Sequence, residues 1–414
     1  MSRCPSLTPA ALDQSIEALL LGSPMSRGRR LLGVEYERLI LHRETRESAP
    51  LSFCRELLGH LVGDLTAVPT EDGGVLHRMN AGDFGISMEP GGQLELATAP
   101  RASLEELDGI VERVRSAVEA RLDSTPYEMV CLGHTPVSKP QDIGLLPRAR
   151  YQIMNAGMPE RGALTINMMR ATAGLQMAFD VTGRQDAARK LALLYRLTPV
   201  LMALTANSRE IEGADSGFES FRHRVWLDTD RDRSGVPEGC LHAETAIQGY
   251  VNYAKKAIAL FLKRDGQIVA SPSMPMEDLV ADGDVTLEDL DLHLSGLFPF
   301  VRLRNYMEVR AFDSVEWPLA RGLVALLSGI LYCNVATGAA VELSNRLVVD
   351  DPEGLEELHM DAARRGLDAV GPEGDTFRDL ALQLVEFAST RVGKPDCNWA
   401  RVEDLESVRE VLSG

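Results

Sequence analysis

Three segments of this chain place glutamate where a strand would hold it: "GVEYERLILH" (33–42), "ISMEPGGQLELATAP" (86–100) and "YMEVRAFD" (306–313). Glutamate is depleted in strands and costly to bury without a partner, so a threefold recurrence narrows the folds available. Side chains two apart on a strand share a face, which puts Glu35 beside Glu37. Glu89 and Glu95 are six apart, again an even number, although the Gly91-Gly92 pair between them can bend or bulge the strand. Glu308 shares a face with Arg310. Like charges on one face repel unless something positive lies between them. The pattern asks for a sheet with one polar, concave face and a cation on it.

The rest of the chain supplies helices around such a sheet. Thr8-Pro9 starts a helix over 9–21, and alternation predicts a strand through 31–42. A helix near 50–62, a turn at "EDGG" and a strand pair around Gly91-Gly92 follow. Ser103 with Glu106 forms a capping box for a helix running to 122. Residues 127–134 read as a strand, "RYQIMNAGMPERG" (150–162) as a lid or short helix, and the alternation ending before Gly183 as another strand. A long apolar helix over 184–206 contains Pro199, which is expected to kink or divide it. "SFRHRVWLDTD" (220–230) alternates, so it is read as a strand with Arg222, Arg224, Trp226 and Asp228 on one face. Residues 298–313 are read as a strand whose one face carries Arg304, Tyr306, Glu308 and Arg310. Helices are expected near 316–343, 353–366, 374–390 and 401–412. Strands at irregular intervals, with long segments between them, favour α+β over a regular βαβ winding.

Hard dications prefer oxygen ligands, and magnesium in particular is held by a few carboxylates together with substrate phosphates. Clustered Glu without clustered His or Cys therefore points to Mg²⁺; the bland reading, which spacing alone favours, is a set of solvated strand faces. An Arg222/Arg224 pair suits capture of a carboxylate or phosphate, or else forms a charge ladder with Asp228, Asp230 and Asp232. Trp226 either stacks on a ligand or packs, and Tyr151 is ligand-facing or a core aromatic.

Other chemistries lack their signals. The formal net charge of -18 disfavours nucleic acid and anionic membrane as partners. Six dispersed cysteines without C-x-x-C argue against a disulfide framework and a zinc site, and fit a reducing cytoplasm. The N-terminal stretch is amphipathic and acidic, unlike a signal peptide, and the greasiest stretches are too short or interrupted to span a bilayer. There is no G-x-G-x-x-G, P-loop, H-E-x-x-H or G-x-S-x-G pattern.

The ordered motifs "GVEYERLIL", "ISMEPGGQLELATAP", "RYQIMNAGMPERGALTINMMRATAGLQMAFD", "ALTANSREIEG", "FRHRVWLDTDRDRSG" and "RLRNYMEVRAFD" resemble the plant and proteobacterial type of glutamate–cysteine ligase over roughly 30–345. The resemblance implies a glutamine synthetase-like α+β domain with a mainly antiparallel sheet curved into a funnel. It implies a catalytic unit over 1–345 and a helical extension over 346–414. The implied activity uses ATP and Mg²⁺ to phosphorylate the γ-carboxylate of glutamate, after which the amino group of cysteine attacks. Glu35, Glu37, Glu89, Glu95 and Glu308 then correspond to metal ligands, Gln176 to a further ligand, and Arg310 to the arginine near the transferring phosphates. Arg222, Arg224 and Trp226 correspond to the substrate-binding strand. Partners would be the small-molecule substrates, and the protein a monomer or homodimer. One departure stands out: relatives commonly read Gln-Val-Asn or His-Tyr-Asn where this chain has Gln176-Met177-Ala178. The missing polar group opens the identity of the acceptor amino acid, since such a change shifts selectivity between small side chains.

Overall fold

The computed structural model describes residues 6–22, 30–394 and 399–414. Most of the basic turn at 26–30, Cys4 and Cys397 lie outside that range. Cys54, Cys131, Cys240 and Cys333 are free thiols.

Nine strands form one open antiparallel sheet among the described residues. They are β1 (Leu32–His42), β2 (Val68–Asp72), β3 (Val75–Asn80), β4 (Phe84–Met88), β5 (Leu94–Thr98), β6 (Tyr127–Val130), β7 (Gly174–Asp180), β8 (Val301–Leu303) and β9 (Tyr306–Asp313). The order across the sheet is β8-β9-β7-β1-β5-β4-β3-β2, with β6 paired to the second half of β1. The α+β expectation is met. Among the described residues fifteen α-helices surround the sheet: α1 (Pro9–Leu21), α2 (Leu51–Asp64), α3 (Leu104–Leu122), α4 (Ala149–Gly157), α5 (Thr165–Ala171), α6 (Arg184–Ala203), α7 (Phe221–Leu227), α8 (Ala246–Lys256), α9 (Met276–Asp282), α10 (Leu287–Leu294), α11 (Trp317–Leu331), α12 (Asn334–Ser344), α13 (Pro352–Arg365), α14 (Phe377–Ser389) and α15 (Glu406–Ser413).

Alternation along each strand divides the sheet into two unlike faces. Val34, Tyr36, Leu175, Met177, Phe179, Met307, Val309, Leu94 and Leu96 all point to one side and are buried. Against that side pack α6, α11, α2 and α3. Helix α6 is buried from Lys190 to Ala203. Pro199 neither kinks it into two elements nor ends it. Burial on every side outweighs the lost backbone bond, and Thr198 donates its hydroxyl to the Leu194 carbonyl one turn back.

The expected helix over 316–343 breaks after Leu331, where α11 and the following helical stretch meet at 98°. No single helix among the described residues is long and apolar enough to cross a membrane. At α3, Ser103 accepts from the Glu106 amide as expected, without the reciprocal half of the box.

The segment 220–230 is not a strand. Residues Phe221–Leu227 form α7, started by Ser220, whose hydroxyl accepts from the His223 amide at 3.1 Å. Asp313 at the end of β9 fixes that start: its carboxylate accepts from Ser220 Oγ at 2.9 Å, Ser208 Oγ at 2.6 Å and the Asn207 amide at 2.9 Å. A buried carboxylate so fully served holds a seven-residue helix in place where propensity alone would not.

Candidate active site

The second face of the sheet carries the acids, and strand register brings them together. Glu37 pairs with Glu95, and Glu95 in turn with Ser87. Glu35 pairs with Gln176, and Glu308 with Ala178 on one side and Arg302 on the other. A residue and its register partner lie on the same face, so Glu35, Glu37, Glu95, Gln176 and Glu308 occupy one contiguous patch.

Glu89 reaches this patch from a turn just beyond β4, not from a strand interior as the sequence suggested. The Glu89 amide donates to the Gln93 carbonyl and the Gly92 amide to the Glu89 carbonyl. Gly92 takes φ +94°, open to glycine, and a Cβ on Gly91 would lie 2.2 Å from the Arg170 carbonyl oxygen. Gln93 closes the arrangement: its oxygen accepts from the Gly91 amide and its nitrogen donates to the Thr172 carbonyl, both at 2.8 Å. The "EPGGQ" run thus seats one glutamate by pressing its turn against the end of α5.

Two cavities flank the acids. The larger, about 410 Å³, is lined by Glu35, Glu37, Glu89, Glu95 and Gln176 on its floor. Its walls include Arg148, Arg150, Tyr151, Trp226, Arg302 and Arg310. The smaller, about 190 Å³, shares Glu35 and Gln176 and adds Glu308, Ala178, Gly33, Phe179, Pro100 and Tyr306. Ala178 therefore borders the smaller, more apolar space and not the arginine-rich one.

Each acid has a different neighbourhood. Glu308 is buried and accepts from Arg302 Nη2 and Arg310 Nη1, both at 3.0 Å. Burial alone would raise its carboxyl, but the two guanidinium groups outweigh it and hold the pKa below the ordinary value. Glu37 accepts from the Gly174 amide at 2.6 Å and from Gln176 Nε2 at 3.2 Å. Glu95 accepts from Ser87 Oγ at 2.8 Å. Burial, then neighbouring carboxylates, push Glu89 up to about 7 and Glu95 up to about 8. Glu35 is raised well above its usual range by burial, Glu308 and Glu95, and Glu37 is raised by burial. Four of the five carboxyls are thus held up by burial, with neighbouring carboxylates adding to the shift at Glu35, Glu89 and Glu95.

These donors fit magnesium as an open site. Among the described residues no three His, Cys, Asp or Glu side chains gather closely enough to enclose an ion unaided. Magnesium seldom uses such a cage, since it keeps waters and binds through one or two carboxylates plus substrate phosphates. Register-paired carboxylates of raised pKa supply the hard oxygens and the unmet demand for positive charge. Gln176 is the exception, because its oxygen accepts from Arg310 Nη1 and would have to leave that bond to ligate.

The remaining sequence candidates fall in three places. Tyr151 and Trp226 line the larger cavity, and Trp226 Nε1 is buried without an acceptor. Arg222 does not line it. Gly174, lacking a Cβ, lets the Arg222 guanidinium lie beneath β7, between Glu37 and Asp313, with Nε and Nη1 unpaired. Arg224 turns outward and donates to Asp228 at 2.9 Å. The shared face expected of Arg222 and Arg224 was a property of a strand, and a helix separates residues two apart by about 200°. Arg304 pairs with Asp291 at the turn, away from the acids.

Four wall arginines were not singled out from the sequence, Arg78 on β3 among them. Arg148 and Arg150 flank the start of α4, where Arg148 lies 5.0 Å over the Tyr151 ring and Arg150 donates to Ser295 Oγ at 2.8 Å. Their signal was the run "RARY". Arg302 was hidden by reading 298–313 as one strand, whereas Asn305 with φ +61° turns the chain and sets Arg302 opposite Glu308.

The family model described as glutamate-cysteine ligase family 2 matches residues 31–408. The chain belongs to that family. Over 326 residues it is 30% identical to the chloroplastic glutamate-cysteine ligase of Brassica juncea, covering 77% of this chain and 63% of the relative. Over 420 residues it is 29% identical to the chloroplastic glutamate-cysteine ligase B of Oryza sativa subsp. japonica, covering 98% and 82%. The chain thus spans less than two thirds of the length of the Brassica juncea protein. Among solved structures, a bifunctional glutathione synthetase from Pasteurella multocida aligns with a TM-score of 0.48 at 12% identity, over 97% of this chain and 48% of that one. Membership of this ligase family agrees with the resemblance drawn from six sequence motifs.

Proposed function

We propose that the protein is an ATP- and Mg²⁺-dependent ligase that joins the γ-carboxylate of L-glutamate to the amino group of L-cysteine or a related small amino acid. The observation that carries this reading is the acidic patch itself, shared by two cavities and bordered by Arg302 and Arg310. Activation of a carboxylate by ATP brings a triphosphate and a second anion together, and that charge has to be neutralised. Glu35, Glu37, Glu89, Glu95 and Glu308 would hold magnesium, which supplies charge neutralisation and alignment of the phosphates.

The chain's own residues do the rest. Arg310, fixed by Glu308 and Gln176, points a rigid guanidinium at the place where charge passes from ATP to the γ-carboxylate. The acyl phosphate so formed loses phosphate when the acceptor nitrogen attacks its carbonyl carbon. Arg148 and Arg150 on the walls suit the α-carboxylates of amino acid substrates. Trp226 Nε1 offers a donor that only a ligand would satisfy, and Tyr151 presents an aromatic wall. The smaller cavity, with Pro100 and Tyr306 beside it, suits a flat base more than an amino acid. Ala178 borders that space, so its missing polar group bears on nucleotide contact before it bears on the acceptor.

The test is ATP consumption with Mg²⁺ and glutamate across a panel of small amino acids, with the product weighed by mass spectrometry. A γ-glutamyl dipeptide formed only when ATP, glutamate and acceptor are all present supports the proposal. Absence of turnover with every acceptor would refute it, and a clear winner other than cysteine would redirect it to another γ-glutamyl product.

A further inference from the structure

A third cavity, of about 760 Å³, lies off the acidic patch, between the first turn of α6, the residue before Leu31 at the head of β1 and the α11–α12 junction. Arg30, Arg184, Arg189 and Lys190 line it, with Asp180, Asp186, Tyr332 and Asn334. Two helices begin there: α6 at Arg184 and α12 at Asn334, and neither has a side-chain cap at its N-terminus. Such helix starts present amide donors and the positive ends of two helix dipoles, that of α6 partly met by Asp186 in its first turn, which accepts from the Thr182 amide at 2.9 Å.

The cations are unevenly served. Lys190 is buried and pairs with Asp186 at 2.9 Å, and Arg184 pairs with Glu17 at 2.9 Å. Arg30 and Arg189 make only neutral contacts among the described residues. Arg30 donates to the Tyr332 carbonyl and lies 5.5 Å over the Trp399 ring, while Arg189 donates to Asn334 Oδ1 at 3.3 Å. Two aspartates share the cavity, but Asp186 is taken by Lys190 and Asp180 accepts from the Leu31 amide, so Arg30 and Arg189 face it without an ion pair among the described residues, where two helix starts meet. Guanidinium groups and helix N-termini together recognise phosphate.

We propose that this cavity binds a phosphorylated small molecule, its phosphate held by Arg30, Arg189 and the first turns of α6 and α12. The site is separate from the acidic patch but joined to it by backbone. The Leu31 amide donates to Asp180 Oδ2 at 2.8 Å, the Asp180 amide donates to Tyr332 Oη at 2.7 Å, and Lys190 Nζ donates to the Asp180 carbonyl at 2.9 Å. Asp180 also closes the smaller cavity that contains Glu35 and Glu308. An anion in the basic cavity therefore braces the ends of β1 and β7, the two strands that carry Glu35, Glu37 and Gln176.

The test is calorimetric titration with inorganic pyrophosphate, at low ionic strength and with divalent ions chelated, on the wild-type chain, Arg189→Glu, Arg189→Gln and Arg310→Ala. The expected result is one saturable site, weakened tenfold or more by Arg189→Glu, less by Arg189→Gln, and unchanged by Arg310→Ala. Both Arg189 variants should unfold at nearly the wild-type temperature, since Arg189 is half-buried and makes no ion pair among the described residues. No saturable binding, equal affinity in both Arg189 variants, or loss of binding in Arg310→Ala would overturn the proposal. So would a KM for ATP that rises in parallel in the Arg189 variants, because the cavity would then belong to the nucleotide.

Discussion

The two faces of β1 differ in what they contribute. Val34 and Tyr36 point into the core, pack under helices and stabilise the fold by removing apolar area from water. Glu35 and Glu37, one residue along, are desolvated, face other carboxylates and have raised pKa values, all of which work against folding. Binding sites are places where local rules are broken and the loss is offset elsewhere. A single strand here does both, and its alternation keeps the two tasks from interfering. Substitutions on the polar face should change activity without loss of stability, and substitutions on the apolar face the reverse.

The largest expected effect is on the polar face. Arg310→Ala removes the guanidinium proposed to face the transferring phosphate, and kcat/KM should fall on the order of 10²–10³-fold with the far-ultraviolet circular dichroism unchanged. A variant within threefold of wild type would remove Arg310 from the chemistry. On the apolar face, Leu175→Ala leaves a cavity under β7 and should cost about 2–5 kcal/mol in denaturant unfolding. The folded fraction should keep its kcat/KM, and a tenfold drop would mean the faces are not independent.

Acidity separates the faces next. Glu95 has its pKa raised from an ordinary 4.5 to about 8 by burial and by Glu89 and Glu37. A carboxyl raised on folding favours the folded state fully below its unfolded pKa, and that contribution is lost as pH rises through the folded value. The metal-free protein should therefore melt at falling temperature as pH rises from about 4.5 to about 8. Glu95→Gln should flatten that fall, and millimolar Mg²⁺ with nucleotide should restore the melting temperature at pH 8. A melting temperature that climbs over the same range would contradict the assignment. The smallest effect belongs to the joint between the faces: Ser220→Ala removes the cap of α7 and should cost about 1 kcal/mol, with activity falling only as far as Arg222 and Trp226 shift.

The sequence made the acids legible because even spacing and unusual residue type coincide in β1, β5 and β9, and register then needed only antiparallel pairing. It hid α7, because Phe221, His223 and Val225 alternate with Arg222 and Arg224 as they would along a strand. What makes the segment helical is long-range: Asp313, some ninety residues on, holds Ser220. It also hid the hairpin at Asn305, whose left-handed backbone is a weak local signal in a run of strand-forming residues. Pro199 misled in the other direction, since a proline's effect on a helix depends on burial that no local window contains.

β1 is flanked by β5 and β7 over its first half and by β6 over its second, where an isolated bridge from Leu41 to Ser48 lies on the other side. Such a strand has no edge from which to fray, so its amides should exchange with solvent deuterium only when the whole domain opens. Glu35 and Glu37 thus sit on the least yielding element of the molecule. Under the proposed function, ions and substrates enter a cavity walled by the short helices α4 and α7, so adjustment to them falls to those walls while the floor stays still.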